Sequence, residues 1–341
     1  MPRCSRKTVA MRETAPPDLD VVNLGMMMAE ISPPRLGLRI DESDYLSLHV
    51  AGSATIFALA LARLGGRVGL ISRVGDDQVG RWLLKQARAE GIDTKAVGIV
   101  GGELTPLLLA SVDHDGNKTF SFYRFAGFCD PLITFRAADV DDRYLGRGRI
   151  FDLAEGSLRN PTLRHESLIL ARRAQAMGRT VCFSPNFRVE AWAGGAEEAS
   201  GVLRDALSLA DLAIMNETEA MLLASSPSAA DAAVWFTQHG PALTVVTRGH
   251  EPVLVIADGA VREAPTFDVD VIYDIGAGDV FHAGFLTAWR ADSDPVLAAS
   301  FAAAAAALKI SRPPESAHMP TRAETLAFLR EQGIDPSALE T

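Results

Sequence analysis

Short apolar runs alternate with amphipathic stretches along most of this chain, and that alternation restricts its fold more than any other feature. Val21-Val22-Asn23-Leu24 leads to Gly25 and reads as a first strand. Ser53 to Leu64 is apolar at helical spacing and stops at Gly65-Gly66. Arg67 to Ser72 reads as a strand and Gln78 to Glu90 as a helix ended by Gly91. The pattern resumes with a strand at Ile150 to Leu153 and a helix from Leu163 to Met177, ended by Gly178. Thr180 to Phe183 is a strand, Glu197 to Leu209 a helix, and Leu212 to Met215 and Ala242 to Thr247 are further strands. Strands separated by helices of this length predict βαβ units, because parallel neighbours need a crossover of about a dozen residues or more. The expected class is α/β with a mostly parallel central sheet.

Two regions break the alternation. Residues 31–50 and 105–125 hold strand-like runs with few helical signals. Leu107 to Val112 and Lys118 to Arg124 flank Asp113-His114-Asp115-Gly116-Asn117, a hairpin turn rich in turn formers. These pieces suit a small β-sheet attached to the α/β core. Val253 to Ile256 and Ala260 to Glu263 flank Asp258-Gly259, a second hairpin. Residues 1–18, closing on Pro16-Pro17, read as a flexible polar lead, and residues 19–335 as one domain.

Composition removes several function classes. The 341 residues are 48% hydrophobic and 22% charged, which is ordinary for a globular chain. Lys and Arg number 33 against 43 Asp and Glu, a net charge of −10, which argues against sequence-independent nucleic-acid binding. The cysteines Cys4, Cys129 and Cys182 form no Cys-x-x-Cys pair, and a disulfide framework is not expected. No His-Glu-x-x-His motif supports a zinc hydrolase. The most apolar run, Val296 to Leu308, is shorter than a bilayer span. Arg3, Arg6, Lys7 and Arg12 precede no apolar segment, so no secretory signal is expected. A cytoplasmic enzyme that acts on a small molecule, not on nucleic acid or membrane, fits these limits.

The chemistry concentrates in Asp274-Ile275-Gly276-Ala277-Gly278-Asp279-Val280-Phe281-His282-Ala283-Gly284. It follows a strand-like run at Val269 to Tyr273 and opens a helix expected to reach about Arg290. A Gly-Ala-Gly turn points backbone N–H groups at one spot without side-chain obstruction, and the helix dipole adds to that field. Such a place favours a phosphoryl group carrying developing negative charge. Asp279, at its rim, is placed to take a proton from an attacking hydroxyl. An anion hole plus a base is what phosphoryl transfer to an alcohol requires. The same residues also suit a plain helix start with Asp279 as N-cap. The segment is neither a Walker A loop nor a Gly-x-Gly-x-x-Gly fingerprint, since Phe281 holds the last place.

At these residues the chain resembles the ribokinase-like (PfkB) carbohydrate kinase family. Gly276-Ala277-Gly278-Asp279 with Phe281 resembles the C-terminal signature, in which the Asp is the catalytic base and the glycine turn the anion hole. Asn216-Glu217-Thr218-Glu219 resembles the Asn-x-x-Glu motif that holds magnesium through its waters. Thr247-Arg248-Gly249 resembles the strand-end Thr-x-Gly that lines the nucleotide. Leu61 to Gly65, then Val74-Gly75-Asp76-Asp77 with Gly80, resembles the N-terminal signature region. Ala302 to Leu308, followed by Arg312-Pro313, resembles the helix and loop beside the adenine, with Ala303 as its contact. The resemblance runs from about residue 20 to 330. It implies a three-layer ribokinase-like sandwich in which the small β-sheet is a lid. It also implies Mg2+ and ATP as cofactors, leaves a monovalent cation open, and implies a homodimer through the lid. Magnesium prefers hard oxygen ligands and keeps several waters, which suits Asn216 and Glu219 on one helix face. Without the rest of the pattern, these two would read as a surface capping pair.

Departures from the family pattern bear on the phosphoryl acceptor. The stretch after Gly52 is Ser53-Ala54-Thr55-Ile56, and Ile56 occupies the place of a sugar-binding Asn. An apolar side chain makes no hydrogen bond to a hydroxyl, which puts ribose and common hexoses in doubt. Tyr273-Asp274-Ile275 replaces the usual Asp-Thr-Thr, and Pro252 replaces a Gly. Gly25 followed by Glu30 fits the opening strand, and Glu30 is a candidate for acceptor hydroxyls. Ser184-Pro185-Asn186-Phe187-Arg188 with Trp192 is similar to a segment of keto-sugar-acid kinases, which makes Asn186 and Arg188 acceptor candidates. Phe122-Tyr123-Arg124 and Met319-Pro320-Thr321 resemble kinases of 2-keto-3-deoxygluconate and 5-dehydro-2-deoxygluconate. Arg holds a carboxylate through two parallel bonds, so Tyr123 and Arg124 are candidates for an acidic acceptor. Asp130 is a further acceptor candidate, whereas His282 reads as a packed helix residue. A sugar or sugar-acid kinase is the leading expectation. A nucleoside kinase, with Ile56, Phe57, Phe120 and Phe122 against a base, and a catalytically silent ligand-binding relative are the alternatives.

Overall fold

Two β-sheets organise the computed structural model, which describes residues 16–123, 130–187, 192–289, 293–313 and 319–340. The chain begins in the large sheet with β1 (Leu19–Leu24), leaves it for β2 (Met28–Ser32) and β3 (Ser47–Ala51), and returns through α1 (Ser53–Arg63). Then come β4 (Val68–Gly75), α2 (Gln78–Ala89) and β5 (Asp93–Val100). A second excursion builds β6 (Leu107–Val112) and β7 (Lys118–Tyr123). The short α3 (Asp142–Leu145) leads to β8 (Gly148–Ala154), α4 (Pro161–Ala176), β9 (Thr180–Ser184), α5 (Gly195–Leu207) and β10 (Leu212–Asn216). The helices α6 (Glu217–Ala224) and α7 (Ala229–His239) precede β11 (Leu243–Arg248), and β12 (Glu251–Ala257) and β13 (Ala260–Ala264) form a hairpin. The chain closes with α8 (Ala277–Ala288), α9 (Pro295–Ile310) and α10 (Arg322–Glu331).

The large sheet has nine strands in the order β13-β12-β11-β10-β9-β8-β1-β4-β5. All neighbours from β11 to β5 are parallel, and β12 and β13 form an antiparallel edge. The order reverses at β1, with β4 on one side and β8 on the other, so the crevice beyond the carboxyl ends of these strands is the expected ligand position. Alternation along each strand divides two cores. Val21, Leu70 and Ile150 face the layer of α1, α2, α8, α9 and α10, where Phe57, Phe285 and Phe301 are buried. Val22, Ile71 and Phe151 face α4 to α7, where Leu170, Leu203 and Phe236 are buried. This is the expected three-layer α/β sandwich. Gly284 lets α8 and α9 touch, since a Cβ there would fall 2.9 Å from Ala302 Cα.

The small sheet runs β3-β2-β6-β7, antiparallel except for the parallel β2–β6 pair. It is the expected small β-sheet, but its first strand begins at Met28 and residues 33–46 form no strand of it. Three other expectations are corrected. Residues 269–273 are not a strand: Val271 and Ile272 are exposed, and the N–H groups of Ile272 and Tyr273 both donate to Ile310 O instead of to a sheet. The edge strand β5, absent from the sequence reading, carries Asp93 and Lys95, charges that hide strand character while protecting an open edge. At the termini, residues 1–15 lie outside the described residues, but Asp18 is held by both carboxylate oxygens on Arg147, and Leu339 is buried in the first core. The domain therefore exceeds 19–335 at both ends. No helix among the described residues is long and apolar enough to cross a membrane.

Candidate active site

The turn before α8 depends on one backbone conformation. Gly276 is the helix N-cap with φ 83° and ψ 6°, in the left-handed region that a Cβ penalises. Asp279 is therefore not the N-cap; it lies in the first helical turn, half-buried, directly above the cap. N–H groups of a first helical turn have no partner inside the helix. The Ala277 N–H donates to Asp274 O at 3.0 Å and closes the turn, whereas Gly278 is exposed. Ala277 thus spends its amide on the turn itself.

Three distant segments meet at the Asp279 carboxylate. Ser53, the first residue of α1 after its N-cap Gly52, donates its hydroxyl to Asp279 Oδ1. Asn186, in the loop after β9, donates Nδ2 to Ser53 Oγ at 2.9 Å. Asn186 itself has φ 39°, a region that Asn enters more readily than most residues. The sequence pattern assigns Ser53 no role, because nothing local marks a residue whose partner lies 226 positions away. Ile56, one turn along α1 from Ser53, packs on the turn: a Cβ on Gly276 would lie 3.4 Å from its Cγ2. The place expected to hold an Asn is thus an apolar wall beside the Gly276 turn.

The lid supplies the opposite side. Glu30 on β2 is registered with Leu108 on β6, which is registered with Phe122 on β7, so the three share one face of the small sheet. Met28, two residues earlier, shares that face too, and a Cβ on Gly52 would approach its Cγ to 3.2 Å. That face therefore looks toward the α1 end of the cleft. Burial raises the Glu30 pKa above the ordinary carboxylate range, opposed by a Ser32 hydrogen bond and the charge of Lys309. Lys118 of β7 forms an ion pair with Asp274, which ties the small sheet to the segment entering the Gly276 turn. Tyr123 ends β7, while Arg124 and Arg188 lie outside the described residues. Asp130 Oδ1 accepts the Leu132 N–H at 2.9 Å and caps a turn.

The second cluster lies along the carboxyl ends of β10 and β11. Asn216 and Thr247 are register partners there, and Gly249 follows at φ 63°. Asn216 and Glu219 form a capping box: Asn216 Oδ1 accepts the Glu219 N–H at 2.9 Å, and Glu219 Oε2 accepts the Asn216 N–H at 3.0 Å. Glu219 Oε1 also accepts the Phe187 N–H at 2.7 Å, beside Asn186. Glu219 is 5% exposed and braces both loops. The pair offers hard oxygen donors of the kind that suit Mg2+ through water. Ala303 on α9 is mostly taken up by the core. Glu219→Ala strands two N–H groups and is expected to cost about 2–4 kcal/mol, read as a lower denaturant midpoint at unchanged slope.

Behind Asp279, on the same helix, His282 is buried against Asp152 Oδ1 at 3.1 Å and Cys182 Sγ at 3.4 Å, and Asn23 donates to Asp152 Oδ2 at 2.6 Å. His282 also packs on the Phe57 ring at 4.6 Å, as expected of a packed helix residue. This cluster ties α8 to the carboxyl ends of β1, β8 and β9.

Comparison with known proteins agrees with this geometry. The pfkB family carbohydrate kinase model matches residues 18–322. Fructokinase-1 of Zea mays is 27% identical over 321 residues, covering 91% of this chain and 98% of that one. The 5-dehydro-2-deoxygluconokinase of Shouchella clausii is 25% identical over 326 residues, covering 92% and 97%. The crystal structure of fructokinase with bound ATP from Xylella fastidiosa superposes with a TM-score of 0.80 at 27% identity, covering 92% of this chain and 99% of that one. With the αβα sandwich, the lid and the Gly-Ala-Gly-Asp turn in place, the chain belongs to the pfkB family of carbohydrate kinases and is a sugar kinase.

Proposed function

We propose that this protein transfers the γ-phosphoryl group of ATP to a hydroxyl of a sugar or keto-sugar acid. The observation that carries the reading is Asp279, half-buried in the first turn after Gly276 and held by Ser53, itself held by Asn186. Asp279 accepts the proton of the attacking hydroxyl. That hydroxyl's oxygen forms its bond to the γ-phosphorus as the bond to the ADP oxygen breaks. The turn at Gly276-Ala277-Gly278 and the α8 N-terminus carry the charge that develops on the transferring group. Asn216, Thr247, Gly249 and Ala303 take the nucleotide. Asn216 and Glu219 orient the waters of Mg2+, which when bound neutralises phosphate charge. The Xylella structure, named with bound ATP, supports that donor, and use of ATP supports a cytoplasmic location.

The acceptor side comprises Glu30, Gly52, Ile56, Asn186 and, beyond the described residues, Arg124 and Arg188. Relatives named as fructokinase and 5-dehydro-2-deoxygluconokinase support a ketose or a keto-sugar acid. The nucleoside alternative loses one of its ring contacts, because Phe57 is 2% exposed and packs on His282. Exposed Tyr45, Leu46 and Phe122 on the lid segments support a homodimer through that surface, which sedimentation tests. A coupled ADP-release assay across ketoses, keto-sugar acids and nucleosides tests the reading. Turnover with a ketose or keto-sugar acid supports it, and turnover confined to nucleosides contradicts it.

A further inference from the structure

Lys309, near the end of α9, has no exposed surface. It stands in the Ala-rich, apolar helix Pro295–Ile310, where nothing in the sequence pattern calls for a charge. Its ammonium donates to Tyr273 O at 2.9 Å and to Ile275 O, and stands 4.5 Å from the centre of the Tyr273 ring. The carbonyl between them, Asp274 O, accepts the Ala277 N–H. The next residue of α9, Ile310, offers its carbonyl to the N–H groups of Ile272 and Tyr273 at 2.8 and 3.0 Å. The backbone from residue 272 to 275 is therefore clamped on both its donor and acceptor sides, and it runs straight into Gly276. Bonds from a charged donor are stronger than those from a neutral amine, so the clamp weakens when the ammonium loses its proton.

We propose that Lys309 is a positioning residue for phosphoryl transfer: its ammonium fixes the carbonyls of Tyr273 and Ile275 and so sets the Gly276 turn and Asp279. This rests on the reading of that turn as the anion hole. Burial lowers the Lys309 pKa to about 8, against the pull of Asp274, Asp279 and Glu30 and with the push of Lys118. Those four groups reach it from the 272–275 segment, α8, β2 and β7. The sign follows. The folded state gives up this proton at lower pH than the unfolded chain, so its loss does not unfold the protein, and stability from this group rises between about 8 and its ordinary value. The clamp weakens in the same window, so kcat falls as pH rises through about 8 while the fold persists.

The test compares wild type, Lys309→Met and Lys309→Arg, each checked for a cooperative melt, in the coupled ADP-release assay from pH 6 to 10. Activity of the wild type establishes the kinase reading separately; its absence would sink that reading and not merely this one. With wild type active, Lys309→Met is expected to lose roughly 10²-fold in kcat with KM for ATP changed by less than about threefold. Lys309→Arg keeps its charge throughout and is expected to retain activity at pH 9 to 10 relative to its own value at pH 7. If Lys309→Met melts poorly, Lys309→Ala is assayed with added ammonium, methylammonium or potassium ions, and recovery of kcat supports the clamp. The proposal is overturned by a folded Lys309→Met with wild-type kcat. It is equally overturned if the arginine variant has the wild-type alkaline limb, or if the alanine variant recovers with none of the three cations.

Discussion

Gly276→Val lowers kcat by about 10²–10³-fold, the scale on which loss of one donor from an oxyanion site is felt. Gly276 caps α8 at φ 83°, where a β-branched residue is a genuine outlier. A Cβ there already reaches 3.4 Å from Ile56 Cγ2 and 4.0 Å from Asp279 Oδ2, and valine extends two methyl groups beyond it. The backbone relieves the strain by rotating toward negative φ. That rotation turns the first N–H groups of α8 away from the cleft and swings Asp279 off Ser53. Gly276→Ala keeps the conformation at a cost of about 1–2 kcal/mol and loses less activity. Both are read by the ADP-release assay beside circular dichroism, since the two cores do not depend on this turn. A valine variant with wild-type kcat would show that the turn does not hold the transferring phosphoryl group.

Much of this architecture is legible because it rests on local periodicity. Val21 to Leu24, Ile150 to Leu153 and Leu212 to Met215 are buried from both faces, so they stand out as apolar runs between helices. The Asp113 to Asn117 turn is legible because its residues bond to one another, with Asp113 Oδ1 accepting from both Asp115 and Asn117. The run at Val269 to Tyr273 misleads for a related reason. It is apolar enough for a strand, yet its hydrogen-bond partner is the end of α9, which no local pattern announces. In the site, the Gly-Ala-Gly-Asp turn declares itself because glycine and a carboxylate are conspicuous. Ser53 and Lys309 do not, because each acquires its meaning from a partner distant in sequence. Glu219 lies between these cases. Its Asn-x-x-Glu spacing is visible, but its brace to Phe187 emerges only when β9 and β10 are adjacent.

Asp279→Asn is the second large effect. Asparagine keeps the volume and can still bond to Ser53, so α8 and its contact with α1 are preserved. It removes the negative oxygen that, in the proposed mechanism, accepts the acceptor's proton. General-base catalysis contributes about 10²–10⁴-fold, and kcat is expected to fall by that factor with KM for ATP within about threefold. A loss confined to KM would assign Asp279 to binding. A loss of folding is not expected, because the side chain is half-buried and its bond to the Ser53 hydroxyl can be kept by an amide.

The most direct measurement is single-turnover ADP formation by wild type and Asp279→Asn, with ATP and the acceptor selected by the panel both saturating. A carboxylate beside helix-start amides that performs the proton transfer predicts a chemical step slower by about 10²-fold or more in the variant, with full occupancy by ATP. Equal single-turnover rates in the two proteins would contradict it.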